Sequence, residues 1–222
     1  MKSSNYYGII LAVLAGTAAL ILLSQFLDET GNRITFGEHG IAESLSAFGY
    51  FACVLVMGGY GGSAFLKRNW FLAVILIAFC ARELDFDKAF TAEGVLKSRF
   101  LMSPDVSLQA KIVAYTILAF VLWCGLLALK NHGPRFWQAL RHRSLDPGHW
   151  CILLPIILLG VAKTVDGLGR KMKSIGLEVT QETEIISHYA EESMELAAPI
   201  LFIVAAVYYI RINRIGQNRG RS

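Results

Sequence analysis

Four residues in the last quarter of the chain repeat at helical spacing: Glu184, His188, Glu191 and Glu195 fall at i, i+4, i+7 and i+11. On a helix they form one row of three carboxylates and an imidazole. Stacked like charges repel, so the row requires a cation. A bound divalent metal is one solution, because carboxylates with imidazole suit Zn, Mn or Fe. His39 and Glu43 repeat the four-residue offset, with Glu38 beside them, and join the row as candidate ligands. Such an ion activates water for hydrolysis of a lipid or envelope substrate, with Glu192 or Asp87 as candidate base. The ExxH spacing of di-iron carboxylate bundles is missing; the chain offers HxxE at His188–Glu191 and ExxxH at Glu184–His188.

The other solution is a set of basic side chains from neighbouring elements. Arg82 stands with Glu83, Asp85 and Asp87 at the end of one apolar run, and Lys163, Asp166 and Arg170 stand at the end of another. Paired with the acidic row, these cations make an ion-paired platform that fixes helix packing and does no chemistry. That reading gives a non-catalytic scaffold or sensor. The alternative, a metal-dependent membrane enzyme, uses the same residues as a site.

Both readings need a membrane. The 222 residues are 55% hydrophobic and 17% charged, with a mean hydropathy of +0.49, which is too apolar for a soluble domain of this size. Runs of about 20 apolar residues predict an all-α polytopic fold, one transmembrane domain over 1–222 with about six helices. These fall at roughly 6–27, 42–66, 69–87, 109–129, 149–166 and 184–211. The alternating pattern of a membrane barrel is missing. The first run has no small-x-small cleavage site after it and reads as a signal anchor.

Orientation follows from basic residues that flank the runs closely. Lys67, Arg68, Lys130, Arg135, Arg141, Arg143, Arg211 and Arg214 fall on one side, with Asp146 the acid among them, which places both termini inside. The net charge of +4 then faces lipid headgroups, and no nucleic-acid role is expected. Membrane lipids are the expected partners, and Gly58/Gly62 form a GxxxG pair suited to close helix contact, within the chain or in a homo-oligomer. Cys53, Cys80, Cys124 and Cys151 show no CxxC spacing and read as packing residues. Two connections read as short interfacial helices, one around Val95–Leu101 and one begun by Pro134 with Phe136, Trp137 and Leu140.

Unequal run length links the charges to the spans. From Trp70 to Ala81, Trp150 to Ala162 and Leu196 to Ile210 the apolar runs reach about 18, 20 and 22 Å, against a hydrocarbon core of about 30 Å. Pinned at the inner face by Asn69, His149 and Arg211, all three fall short on the outer side. Their ionic ends then share an outward pocket lined by Glu43, Arg82, Glu83, Asp85, Asp87, Lys163, Asp166, His188, Glu191, Glu192 and Glu195. Pro199 leaves the carbonyl of Glu195 without its helical donor, one turn below the acidic row. Transport fits less well: two inverted units of three helices would place the charged ends of the third and sixth on opposite faces. Ser44, Ser46, Ser187 and Ser193 lie near acids and histidines, but no nucleophile elbow surrounds them.

The stretch Arg82-Glu83-Leu84-Asp85-Phe86-Asp87-Lys88-Ala89-Phe90-Thr91, followed by Leu96-Lys97, resembles a segment of small polytopic membrane proteins of bacteria, in which the position of Asp87 is often histidine. The likeness covers this helix end and the acidic entry to the last helix. It implies a bacterial inner-membrane setting and carries no activity. Ceramidase-like membrane hydrolases differ: where their last helix carries paired histidines, this chain has Glu184 and His188.

Overall fold

The computed structural model describes residues 3–37, 40–86, 100, 106–173 and 176–219. Every regular element among them is a helix: α1 (Ser3–Leu23), α2 (Glu29–Phe36), α3 (Ile41–Gly59), α4 (Gly62–Arg68), α5 (Trp70–Glu83), α6 (Leu108–Arg141), α7 (Pro147–Val165), α8 (Leu168–Lys173) and α9 (Gln181–Arg219). Within a bilayer each backbone N–H must be satisfied inside its own segment, which is why apolar runs of this length fold as helices. Five stretches are long and apolar enough to cross a membrane, and a sixth is added if α4 and α5, bent by 81°, count as one span. The protein is therefore an all-α polytopic membrane protein.

Local chemistry sets the helix ends. Asp28 caps α2 by accepting from the Gly31 N–H at 2.8 Å. Asp146 caps α7 by accepting from the His149 N–H at 2.9 Å, while the His149 ring reaches back to the Asp146 N–H, a capping box that begins the helix with Pro147. At the far end of α7 the ammonium of Lys171 donates to the carbonyls of Lys163 at 2.8 Å and Thr164 at 3.2 Å, closing acceptors the helix leaves open.

α9 is the axis of the bundle. It packs on α7, α3 and α1; α5 packs on α3, and α6 packs on α5. The α3–α9 crossing is close because Gly49 has no side chain: a Cβ there would lie 2.9 Å from Cβ of Pro199 and 3.0 Å from its Cγ. Around this point Tyr50, Cys53 and Met57 of α3 meet Ala73 and Leu76 of α5 and Ala198 of α9. A second cluster joins Ile10 of α1, Cys151 of α7, and Leu201 and Ala205 of α9. α1 runs antiparallel to α9, with the rings of Tyr6 and Tyr208 edge to face at 5.0 Å. Aromatic residues make the α5–α6 seam, where Trp70 lies 6.1 Å from Phe120 and 5.7 Å from Trp123. Elsewhere α6 presents Ile112, Ile117, Leu122 and Leu126 outward, a surface that suits lipid.

The structure corrects three boundaries. The run expected as one helix over 42–66 ends at Gly59, and α4 begins at Gly62 with φ of +81°. That left-handed value is open to glycine at little cost. Gly58 and Gly62 thus sit on different helices. No separate helix begins at Pro134, since α6 continues through it to Arg141; proline removes one backbone bond, and the packed turns on either side carry the helix on. The last helix begins at Gln181 and extends to Arg219, beyond the expected 184–211. Of the expected piece around Val95–Leu101, only Phe100 is described, and it is 1% exposed.

Candidate functional site: a buried arginine–carboxylate node

The end of α5 brings Arg82 and Glu83 to the middle of α9. The guanidinium Nη2 donates to Oε1 of Glu83 and to Oε1 of Glu195, both at 2.6 Å, and Nε adds a bond to Glu83 at 3.2 Å. Glu83 is 4% exposed and Glu195 is 7% exposed. Two buried carboxylates on one planar donor form a charge-assisted node that ties α5 to α9. The α5 terminus favours this arrangement because the chain turns off immediately afterwards: Leu84 ends the helix, and half-buried Asp85 takes φ of +48°. Aspartate is among the residues that tolerate that conformation.

Tyr50 lies beside the node. Its ring stacks on Phe79 at 5.3 Å, and the charges of Glu83, Arg82 and Glu195 act on its phenol. The side chain is fully buried, yet its hydroxyl has no hydrogen-bond partner among the described residues. Buried hydroxyls rarely stay unpaired. Sequence reasoning missed this residue, although Glu43, Ser46 and Tyr50 share a face at i, i+3 and i+7.

One turn along α9 from Glu195 the acids pair with no arginine among the described residues. His188 Nδ1 stands 3.9 Å from Oε2 of Glu191, and its ring lies 6.0 Å from that of Tyr189. Glu192 is half-buried, with Glu195, His188, Glu191 and Glu43 in electrostatic reach. It makes no ion pair or hydrogen bond among the described residues. The ring of Phe36, at the end of α2, lies 5.1 Å from that of Tyr189, tilted by 36°, and so covers this part of α9.

The remaining candidates form a second, separate group. Lys163 pairs with Asp166 on the last turn of α7, and Lys171 and Arg170 are the further cations that act on Asp166. Burial pushes the Asp166 carboxyl up, but these cations outweigh it and hold the group below the usual carboxylate range. Glu184 lies against α8, where a Cβ on Gly169 would be 2.8 Å from its carboxylate. The ionic ends expected in one pocket therefore divide: α5 meets the middle of α9, whereas α7 meets α8 and the α9 entry. The short helix α8, which the sequence reading did not contain, takes up the α7 charges locally.

His39 and Asp87 lie outside the described residues. Among those described, no group of three or more His, Cys, Asp or Glu side chains is arranged to hold a metal ion. His188 and Glu191 are the two candidate ligands the structure sets side by side.

Fold and site together define a polytopic helical membrane protein with a buried arginine–carboxylate node. Comparison with known proteins adds no narrower class: no family model, no curated protein and no solved structure matches the chain.

Proposed function

We propose that the α3–α5–α9 face is an outward-opening carboxylate–imidazole site that takes a divalent metal ion and hydrolyses a membrane or envelope substrate. The observation that carries this reading is the division of labour on α9. Arg82 is committed to Glu83 and Glu195, so among the described residues Glu192 has no counter-ion beside His188 and Glu191. An ionised carboxylate within a helix bundle calls for a cation or a proton. His188 and Glu191 would hold the ion, with Glu43 of α3 and, from the sequence, His39 as further candidate ligands. Glu192 would take a proton from water as the resulting hydroxide attacks the substrate, and the leaving group would receive that proton.

The basic flanks of the spans support an inside location for both termini, and the resemblance of the Arg82–Thr91 segment supports a bacterial inner membrane. The reading is tested by metal analysis of detergent-purified protein prepared without chelator. About one Zn, Mn or Fe per chain is expected from the affinity of such ligand sets, and a His188→Ala, Glu191→Ala variant should lose it. A parent protein without stoichiometric metal overturns the reading.

The second reading is a non-catalytic scaffold or sensor, and the two 2.6 Å bonds of Arg82 favour it. Here the node exists to join α5 to α9. Glu192→Gln then leaves every property of the protein intact, whereas it removes turnover in an enzyme.

A further inference from the structure

Three basic side chains gather where α4 ends beside the far part of α6. Arg68 stands on the last turn of α4. His132 and Arg135 stand three residues apart on α6 and so share a face. The charges of Arg135 and Arg68 both act on the His132 ring, and no carboxylate among the described residues does. That ring lies 5.9 Å from the ring of Phe71, the second residue of α5, which holds the imidazole against the α4–α5 corner. Neither arginine makes an ion pair among the described residues. Like charges this close repel, and an anion between them removes the repulsion.

The surroundings select the kind of anion. α4 is bent by 81° from α5, so with α5 crossing the membrane α4 lies along its surface. Lys67 and Arg68 are exposed there, while Phe65 and Leu66 are half-buried beneath them. On α6 the apolar stretch ends at Leu129, and His132 follows one turn later. Leu126 and Leu129 are exposed, so the cations continue directly from a wall that faces lipid. Trp70 and Trp123, 5.7 Å apart, are exposed on the same side of the chain's turn into α5, and tryptophan favours headgroup level. A soluble anion would use the cations alone. A phospholipid uses both features, with its phosphate on the cations and its acyl chains on the wall.

We infer that Arg68, His132 and Arg135 form a site for the phosphate of an anionic phospholipid, which bridges α4 to α6 with its acyl chains along Leu126 and Leu129. A zwitterionic lipid brings an ammonium group into the same cluster of cations, whereas a lipid with an uncharged alcohol head brings the phosphate alone. Arginine suits the role because its planar donors match phosphate oxygens in pairs. The site lies at the opposite end of α5 from the Arg82 node and does not depend on the metal reading. The bound lipid gives α6 a second attachment beside its aromatic seam with α5.

Native mass spectrometry of the full chain in detergent tests this with dioleoyl phosphatidylglycerol, phosphatidylethanolamine and phosphatidylcholine, which share their chains and differ in the head. The glycerol lipid should be retained with about twentyfold preference over the other two, and Arg68→Gln and Arg135→Gln should each weaken that preference about fivefold. All three cluster residues are exposed, so these substitutions leave the folded chain intact. Arg141→Gln removes the same charge from the last turn of α6, outside the cluster, and should leave the preference unchanged. Equal retention of the three lipids overturns the inference. So does an Arg141→Gln effect as large as that of Arg135→Gln, which would reduce the preference to the summed charge of this end of the bundle. Millimolar inorganic phosphate should fail to displace the glycerol lipid; displacement would mark a soluble-anion site and overturn the lipid assignment. In hydrogen exchange, phosphatidylglycerol should slow the amides around His132 in the parent and not in the Arg68→Gln, Arg135→Gln double variant, and equal slowing in both would overturn the bridge.

Discussion

Arg82 neutralises two carboxylates that could not otherwise remain ionised inside the bundle. Replacing it with Met strands Glu83 and Glu195, and removing one partner of a buried ionic group costs about 3 kcal/mol or more. Arg82→Met should lower the melting temperature in detergent by several degrees, and Glu83→Gln in the same chain should restore part of it. An unchanged melting temperature in Arg82→Met would show that the node does not hold the helices. Asp166 tests the second group. Its folded-state value lies below the ordinary one, so its pairing stabilises the protein above the usual carboxylate range and is lost as pH falls through the folded value. Asp166→Asn should flatten the acid limb of the stability curve below about pH 4 and change little at neutrality, since exposed pairs are worth about 1 kcal/mol or less. Arg82 and Glu195 were legible in the sequence as members of one charged cluster, because a short apolar run ends in charge; that they pair with each other is read from the structure. Tyr50 was not, since an unsatisfied hydroxyl is a property of packing, and nothing in a residue's type announces it.

Between elements, the decisive contact is the approach of α3 to α9 at Gly49 and Pro199. A methyl group at Gly49 meets a rigid ring, so Gly49→Ala should push the helices apart and destabilise the protein by about 1–3 kcal/mol. Gly59→Ala, where an added Cβ meets nothing within 4 Å, should be neutral or slightly stabilising. Thermal unfolding of the two variants compares them directly, and equal midpoints would contradict the close crossing. The helices themselves were readable from apolar runs, but their breaks were not. Tyr60 to Gly62 reads as a continuation of a glycine-rich span until the positive φ of Gly62 ends it. Pro134 reads as a helix start, yet α6 absorbs it. The charges of α7 went elsewhere than expected because α8, only six residues long, carries no periodic signal and still supplies Arg170 and Lys171.

Across the molecule, one crossing by α7 must separate the α6 end from the α8–α9 connection. Cysteines placed at Arg141 and Glu178, both exposed, should react with impermeant reagents from opposite sides, Glu178 from outside. Labelling of both from one side would remove the span order that gives the site its direction. Composition made the membrane legible, because 55% hydrophobic and 17% charged residues lie outside the range usual for a soluble domain. The assembly of the spans is a different matter, since lipid solvates every apolar face equally and leaves only small residues and buried charge to select partners.

That selection leaves α6 in a singular position. Among the described elements its one substantial neighbour is α5, through a seam of rings around Trp70, Phe120 and Trp123. A long rod held along a single edge is the part of a bundle that docks last and lets go first. Under force or gentle heating, α6 should swing away as a unit while the remaining helices around α9 keep their form. Amides of α6 that exchange no faster than those of α9 would rule that order out.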